Sequence, residues 1–201
     1  MVMPSKIFKV LSPSNLDEVA SILSNLRYQE RGLFLRTEGV TRFKGGIRGK
    51  LEVAKQEMSP ILISFYMVAP PGKEDLFSIL ICERKLADRV ADIFSNSGLV
   101  MKEMDLPMGS VRKLYEKGNV LLLLISVEGK DVKKVLLYGD SVIKTEIYLR
   151  YLRTGKELYV VYKDENNQVI GITSKGVVIF FTYIDEESLM RYIVDKLLPL
   201  C

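Results

Sequence analysis

Histidine is absent from this 201-residue sequence, and cysteine occurs only at positions 82 and 201. The first absence removes Ser/His/Asp and Cys/His nucleophile pairs, imidazole acid–base catalysis and the commonest metal ligand together. The second rules out a four-cysteine zinc site, since neither thiol has a partner at metal-ligand spacing. Two such cysteines define no disulfide framework, so the expected setting is a reducing cytoplasm.

Long hydrophobic runs are missing as well. ILISFYMVAP at 61–70 and VLLLLISV at 120–127 are about half of the ~20 residues that a membrane helix requires, so both are read as buried strands and no membrane insertion is expected. The opening MVMPSKIFKV holds too short an apolar stretch for the core of a secretory leader. No P-loop or dinucleotide fingerprint occurs: FKGGIRGK ends in lysine but lacks the GxxxxGK[ST] spacing. Carboxylates come mostly as neighbours, Asp17/Glu18, Glu74/Asp75, Asp164/Glu165 and Glu186/Glu187, and adjacent residues on a helix do not face one another. The turn Asp164-Glu165-Asn166-Asn167 lacks the alternating ligand positions of a calcium loop. No catalytic residue, metal site or cofactor is therefore assigned, and a non-enzyme is expected, with lysine or carboxylate chemistry the enzymatic route left open.

What is present suits an ordinary folded protein. Hydrophobic residues make up 48% and charged residues 27%, enough to build a core without disulfides. The net charge of +4 implies no partner by itself, but its distribution is uneven. Arg31, Arg36, Arg42, Lys44, Arg48, Lys50 and Lys55 fall within 25 residues that contain only Glu38 and Glu52 as acids.

Residues 7–11 alternate as a strand, Asn15–Arg27 has helical spacing behind a Ser14 or Asn15 cap, and 33–37 reads as a second strand. EGVTRFKGGIRGK at 38–50 carries four glycines and forms a basic excursion, read as a charged hairpin, a flexible loop or a phosphate-contacting segment. Strands at 61–68 and 75–82, a helix over 83–96 and a strand at 99–104 follow. The order resembles a ferredoxin-like βαββαβ plan with an insertion and an extra strand.

Asp105-Leu106-Pro107-Met108-Gly109 marks the expected boundary between domains 1–106 and 107–201. Beyond it come short helical turns, strands at 119–127 and 132–138 joined through Glu128-Gly129-Lys130-Asp131, and a helix at 142–153 with Ile143, Ile147 and Tyr151 as its inward stripe and Tyr148 and Leu152 beside them. A three-stranded meander and a helix over 186–197 complete the chain. This order is similar to that of roadblock-type dynein light chain modules, with no residue motif shared. The fold class expected is therefore α+β, with mixed or antiparallel sheets and helices on one face.

Two functions compete. Apolar runs at Leu121–Ile125 and Val177–Phe181 suggest strands buried on both faces, and Tyr148, Tyr151, Tyr159 and Tyr162 add amphipathic area, which together point to a non-catalytic protein-interaction or scaffold role, with a homodimer as one partner choice. The alternative is nucleic-acid binding, with Arg36, Arg42, Lys44, Arg48 and Lys50 on phosphates and Phe43 stacking on a base.

Overall fold

In a computed structural model, residues 2–30, 32–55, 59–128 and 131–201 are described. Arg31 of the basic block, Gln56 and the Gly129-Lys130 part of the expected turn lie outside these residues. The chain divides into two units, Pro4–Glu103 and Met104–Cys201, the latter joined by Val2 and Met3. Each is α+β, and every strand pairing described within each is antiparallel.

The first unit contains β1 (Met3–Ser12), α1 (Leu16–Ser24), β2 (Arg27–Glu30), β3 (Leu33–Phe43), β4 (Gly46–Lys55), β5 (Ile61–Val68), β6 (Leu76–Ile81), α2 (Arg84–Asn96) and β7 (Val100–Glu103). Its strands lie in the order β2-β3-β4-β5-β6-β1-β7. Asn15 caps α1 by accepting the Glu18 backbone N–H, as its side chain suggests from sequence. Both helices pack on one face of the sheet, where Val19, Leu23, Val90 and Phe94 meet Leu35, Leu51, Phe65 and Leu80. Each such side chain taken from water is worth about 1.5–3 kcal/mol.

The excursion at 38–50, for which the sequence offers a charged hairpin or a flexible loop, is the centre of a long hairpin, paired from Leu33↔Lys55 to Phe43↔Gly46. A turn at Lys44-Gly45 closes it, with Gly45 at φ +87°, a conformation that an L side chain resists. β2 escapes pattern reading because its residues, Arg-Tyr-Gln-Glu, hold a single apolar ring. Lys6 is also unexpected: it stands on the helix-covered face of β1 at 1% exposure, donating to Asp88 of α2 and to Glu103 of β7, the latter at 2.7 Å.

The second unit contains α3 (Met108–Tyr115), β8 (Asn119–Val127), β9 (Lys134–Tyr138), a 3₁₀ turn at Val142–Lys144, α4 (Glu146–Leu152), β10 (Gly155–Lys163), β11 (Val169–Thr173), β12 (Val177–Phe180) and α5 (Glu186–Tyr192), which runs on as a π-turn at Ile193–Leu197. Its strand order is β9-β8-β10-β11-β12. Leu189, Ile193 and Leu197 are buried, as the spacing of the last helix predicts.

The helix expected over 142–153 is interrupted. Thr145 is extended (φ −94°, ψ 146°) and caps a new helix by accepting from the Tyr148 N–H, and this restart changes which side chains face inward. Val142 and Tyr148 are buried, while Ile147, placed by the sequence on the inward stripe, is 58% exposed.

Candidate interaction surfaces

The hairpin separates the basic residues that the sequence groups together. Side chains alternate along β4, so Ile47, Leu51 and Val53 enter the core while Arg48, Lys50 and Glu52 point to the opposite face. Partners in the ladder share a face, which places Thr41 and Tyr66 beside Arg48, Ser64 beside Lys50, and Arg36 beside Glu52. Arg36 also faces Arg27 of β2. It is held by Glu52 and by Glu38, the latter at 2.8 Å, and these carboxylates raise the affinity of its guanidinium for the proton.

Arg42 stands across from Ile47 on the helix-covered side and pairs with Asp17 of α1. Phe43 lies across from Gly46, 40% exposed, with its ring 6.2 Å from that of Tyr66 in an edge-to-face contact. Lys44 is exposed at the turn. Among the described residues, Arg27, Lys44, Arg48 and Lys50 have no carboxylate partner.

The sheet of the second unit has one covered and one open face. Tyr115 of α3, Tyr148 of α4 and Tyr192 of α5 are all buried on the face that carries Leu123, Glu157, Val160, Tyr162, Ile172 and Phe180. On the other face the register aligns Tyr138, Leu122, Val161, Gly171 and Ile179 in one row and Leu136, Leu124, Tyr159 and Thr173 in the next. Neither row contains a charge. Tyr138 is 82% and Leu136 58% exposed, while Leu122, Leu124 and Tyr159 are half-buried among their neighbours.

The four tyrosines singled out by sequence thus have different roles. Tyr148 and Tyr162 belong to the interior, at 4% and 1% exposure, with hydroxyls bonded to Glu157 and Tyr192. Tyr151 is half-buried on α4, and Tyr159 lies on the open sheet face. Phe181, the end of an apolar run marked in the sequence, lies beside that face, whereas Leu136 and Tyr138, which complete it, are missed by sequence reading because their exposure follows from register and not from local pattern.

A buried polar cluster lies on the covered face. Glu157, with its side chain 2% exposed, accepts from Arg112 Nη2 and from the Tyr148 hydroxyl, each at 2.9 Å. Among the described residues, the Tyr115 hydroxyl and Arg112 Nε are buried beside this pair without a well-formed hydrogen bond, although the Tyr115 and Arg112 side chains lie close enough to interact. Arg112 and Glu157 also line a cavity of about 450 Å³, with Lys156 and Lys175 near its rim. Among the described residues no three His, Cys, Asp or Glu side chains converge to hold a metal ion, and no helix is long and apolar enough to cross a membrane.

The tyrosines of this region give a pH dependence. Burial pushes Tyr162 up to about 12 from an ordinary 10.0. Burial first, and then the neighbouring Glu157 charge, raises Tyr115 and Tyr148, while burial and Tyr162 raise Tyr192. The unfolded chain releases these protons near the ordinary value and the folded chain holds them. The stability they support is therefore complete below pH 10 and declines as pH rises through the folded values. Urea midpoints measured from about pH 9 to about pH 11.5 should fall steadily, with tyrosinate absorbance appearing together with unfolding.

A scan against protein-family models finds no match for this chain, and a search of the curated proteins finds none.

Proposed function

We propose that this chain is a non-catalytic assembly protein that pairs with a second copy of itself through the open face of its C-terminal sheet. The observation that carries this reading is the pair of uncharged rows across β9, β8, β10, β11 and β12, with Tyr138 and Leu136 the most exposed side chains of the set. An uncharged, largely apolar sheet face can cover a second copy of itself, since two sheets pack face to face about 10 Å apart with their side chains interleaved. Tyrosine suits such a contact because its ring is apolar and its hydroxyl tolerates water. A twofold pair is the simplest closed arrangement and leaves no further copy of the face exposed.

The test is the mass of the particle in solution between about 1 and 100 μM, a span that brackets dimers of ordinary affinity. The wild-type chain should elute at twice the monomer mass. Leu136→Lys with Tyr138→Lys should elute as a monomer that still unfolds cooperatively, with a thermal midpoint that no longer rises with protein concentration, because both positions are exposed in the single chain. A wild-type monomer across the whole range removes the reading.

The finer architecture belongs to the same proposal. Within the first unit, the order β7-β1-β6-β5 with α1 and α2 on one face supports a ferredoxin-like core, widened by β2, β3 and β4. Division of the chain at Glu103 and Met104 supports two domains meeting near 105–109.

A further inference from the structure

We infer that the exposed face of the β3–β4 hairpin binds single-stranded nucleic acid, with Phe43 stacking on a base and Lys44, Arg48 and Lys50 holding successive phosphates. The inference concerns the first unit and does not depend on self-association through the second.

Charge and its availability point to a polyanion. Glu38 and Glu52 are engaged by Arg36, and Asp17 by Arg42 on the other face. Arg48, Lys50 and Lys44 are exposed and, among the described residues, lack a carboxylate partner. The hairpin face thus presents free cations while its acids are already neutralised. Two positions along a strand are ~6.8 Å apart, so Arg48 and Lys50 can each meet a different phosphate of an extended chain.

Aromatic placement favours a single strand over a duplex. Phe43 is diagonal to Arg48 across the hairpin, a separation of ~7–8 Å, and its ring is held from the side by Tyr66. The ring is braced by Tyr66 and lies over Gly46, yet 40% of the residue stays exposed, and an exposed ring surface is what an unstacked base requires; bases within a duplex are already stacked on each other. The exposed part of this face ends at β6 and β1, since Ile7, Phe77 and Ile79 on the same face are buried. The site therefore suits a short stretch of nucleotides and gives little sequence preference.

The experiment is fluorescence anisotropy of the full chain against a labelled mixed-sequence single strand, a duplex of equal length and polyglutamate. Contacts to three phosphates should weaken single-strand binding roughly 20-fold between about 50 and 200 mM salt. Arg48→Gln with Lys50→Gln should flatten the slope of log affinity against log salt by about 1.4, and Lys44→Gln alone by about 0.7. Phe43→Leu should reduce affinity at least about fivefold with the slope unchanged. Leu136→Lys with Tyr138→Lys should bind as wild type, which keeps this result separate from the oligomeric state. No single-strand binding at about 50 mM salt, equal binding of duplex or polyglutamate, or wild-type affinity in all hairpin variants whose thermal midpoints are preserved, overturns the inference.

Discussion

Replacing Glu157 with alanine should destabilise the C-terminal unit by about 3–5 kcal/mol, the cost of leaving a buried charge without its counter-ion. The Glu157 side chain is 2% exposed and compensates Arg112, whose own side chain is 27% exposed. Its loss would strand a guanidinium and the Tyr148 hydroxyl together, beside the buried Tyr115 hydroxyl. Glu157→Gln keeps an acceptor for Tyr148 but not the charge, and should fall between wild type and alanine. Replacing Glu157 and Arg112 together by Leu and Met removes both charges and should recover most of the loss, because the desolvation of two ions disappears with their attraction. Eight of the ten tyrosines belong to residues 104–201, so tyrosine emission during urea unfolding reports chiefly on this unit. Loss of less than about 1 kcal/mol in Glu157→Ala would mean that water reaches the carboxylate and that the cluster is not an interior ion pair.

Gly49→Val should unfold the hairpin, at a cost of about 3 kcal/mol or more. A β-carbon on Gly49 would lie 2.2 Å from the Gly39 carbonyl oxygen and 2.5 Å from the Phe65 ring. The first obstacle is backbone and cannot rotate away. The register slips between Thr37 and Val40, and the bulged backbone at Gly39 (φ +128°) turns its carbonyl onto β4 where Gly49 leaves room. Gly49→Ala should be damaging in the same direction and less severe, since it lacks the branched methyl groups. Gly39→Ala meets nothing within 4 Å, so its cost is confined to the backbone strain of a φ that is nearly exclusive to glycine, about 1–3 kcal/mol. Amide exchange across β3 and β4 distinguishes these cases: Gly49→Val should lose protection along both strands, and Gly39→Ala should keep it. Equal stability of the two alanine variants would show that the close approach does not govern the fold here.

Much of the secondary structure is legible because burial imposes a period on the sequence. α1 and α5 are marked by capping side chains, Asn15 and Asp185, and by helical spacing of their buried residues. β5 and β6 are apolar enough to be recognised without alternation. The hairpin is harder to read, because its outward positions carry Arg36, Arg48, Lys50 and Glu52 and its inward ones include glycine. Charge clusters in sequence whether or not it clusters in space, so the pattern that signals a phosphate-binding segment does not show that Arg42 is turned to the other face and paired with Asp17. The buried positions of Lys6, Tyr148 and Tyr162 depend on partners 9 to 97 residues away, which no local window contains. The open apolar face of the second sheet depends likewise on register between five strands.

β2 has a bearing on solubility. It forms an edge of the first sheet, only four residues long, with Arg27 and Glu30 at its ends and Arg27 set directly against Arg36 of its neighbour. A strand from another molecule that tried to extend the sheet there would find too few backbone groups to bond and a crowded pair of arginines beside them. β2 thus keeps the Leu33–Arg36 part of β3 from serving as a template for aggregation.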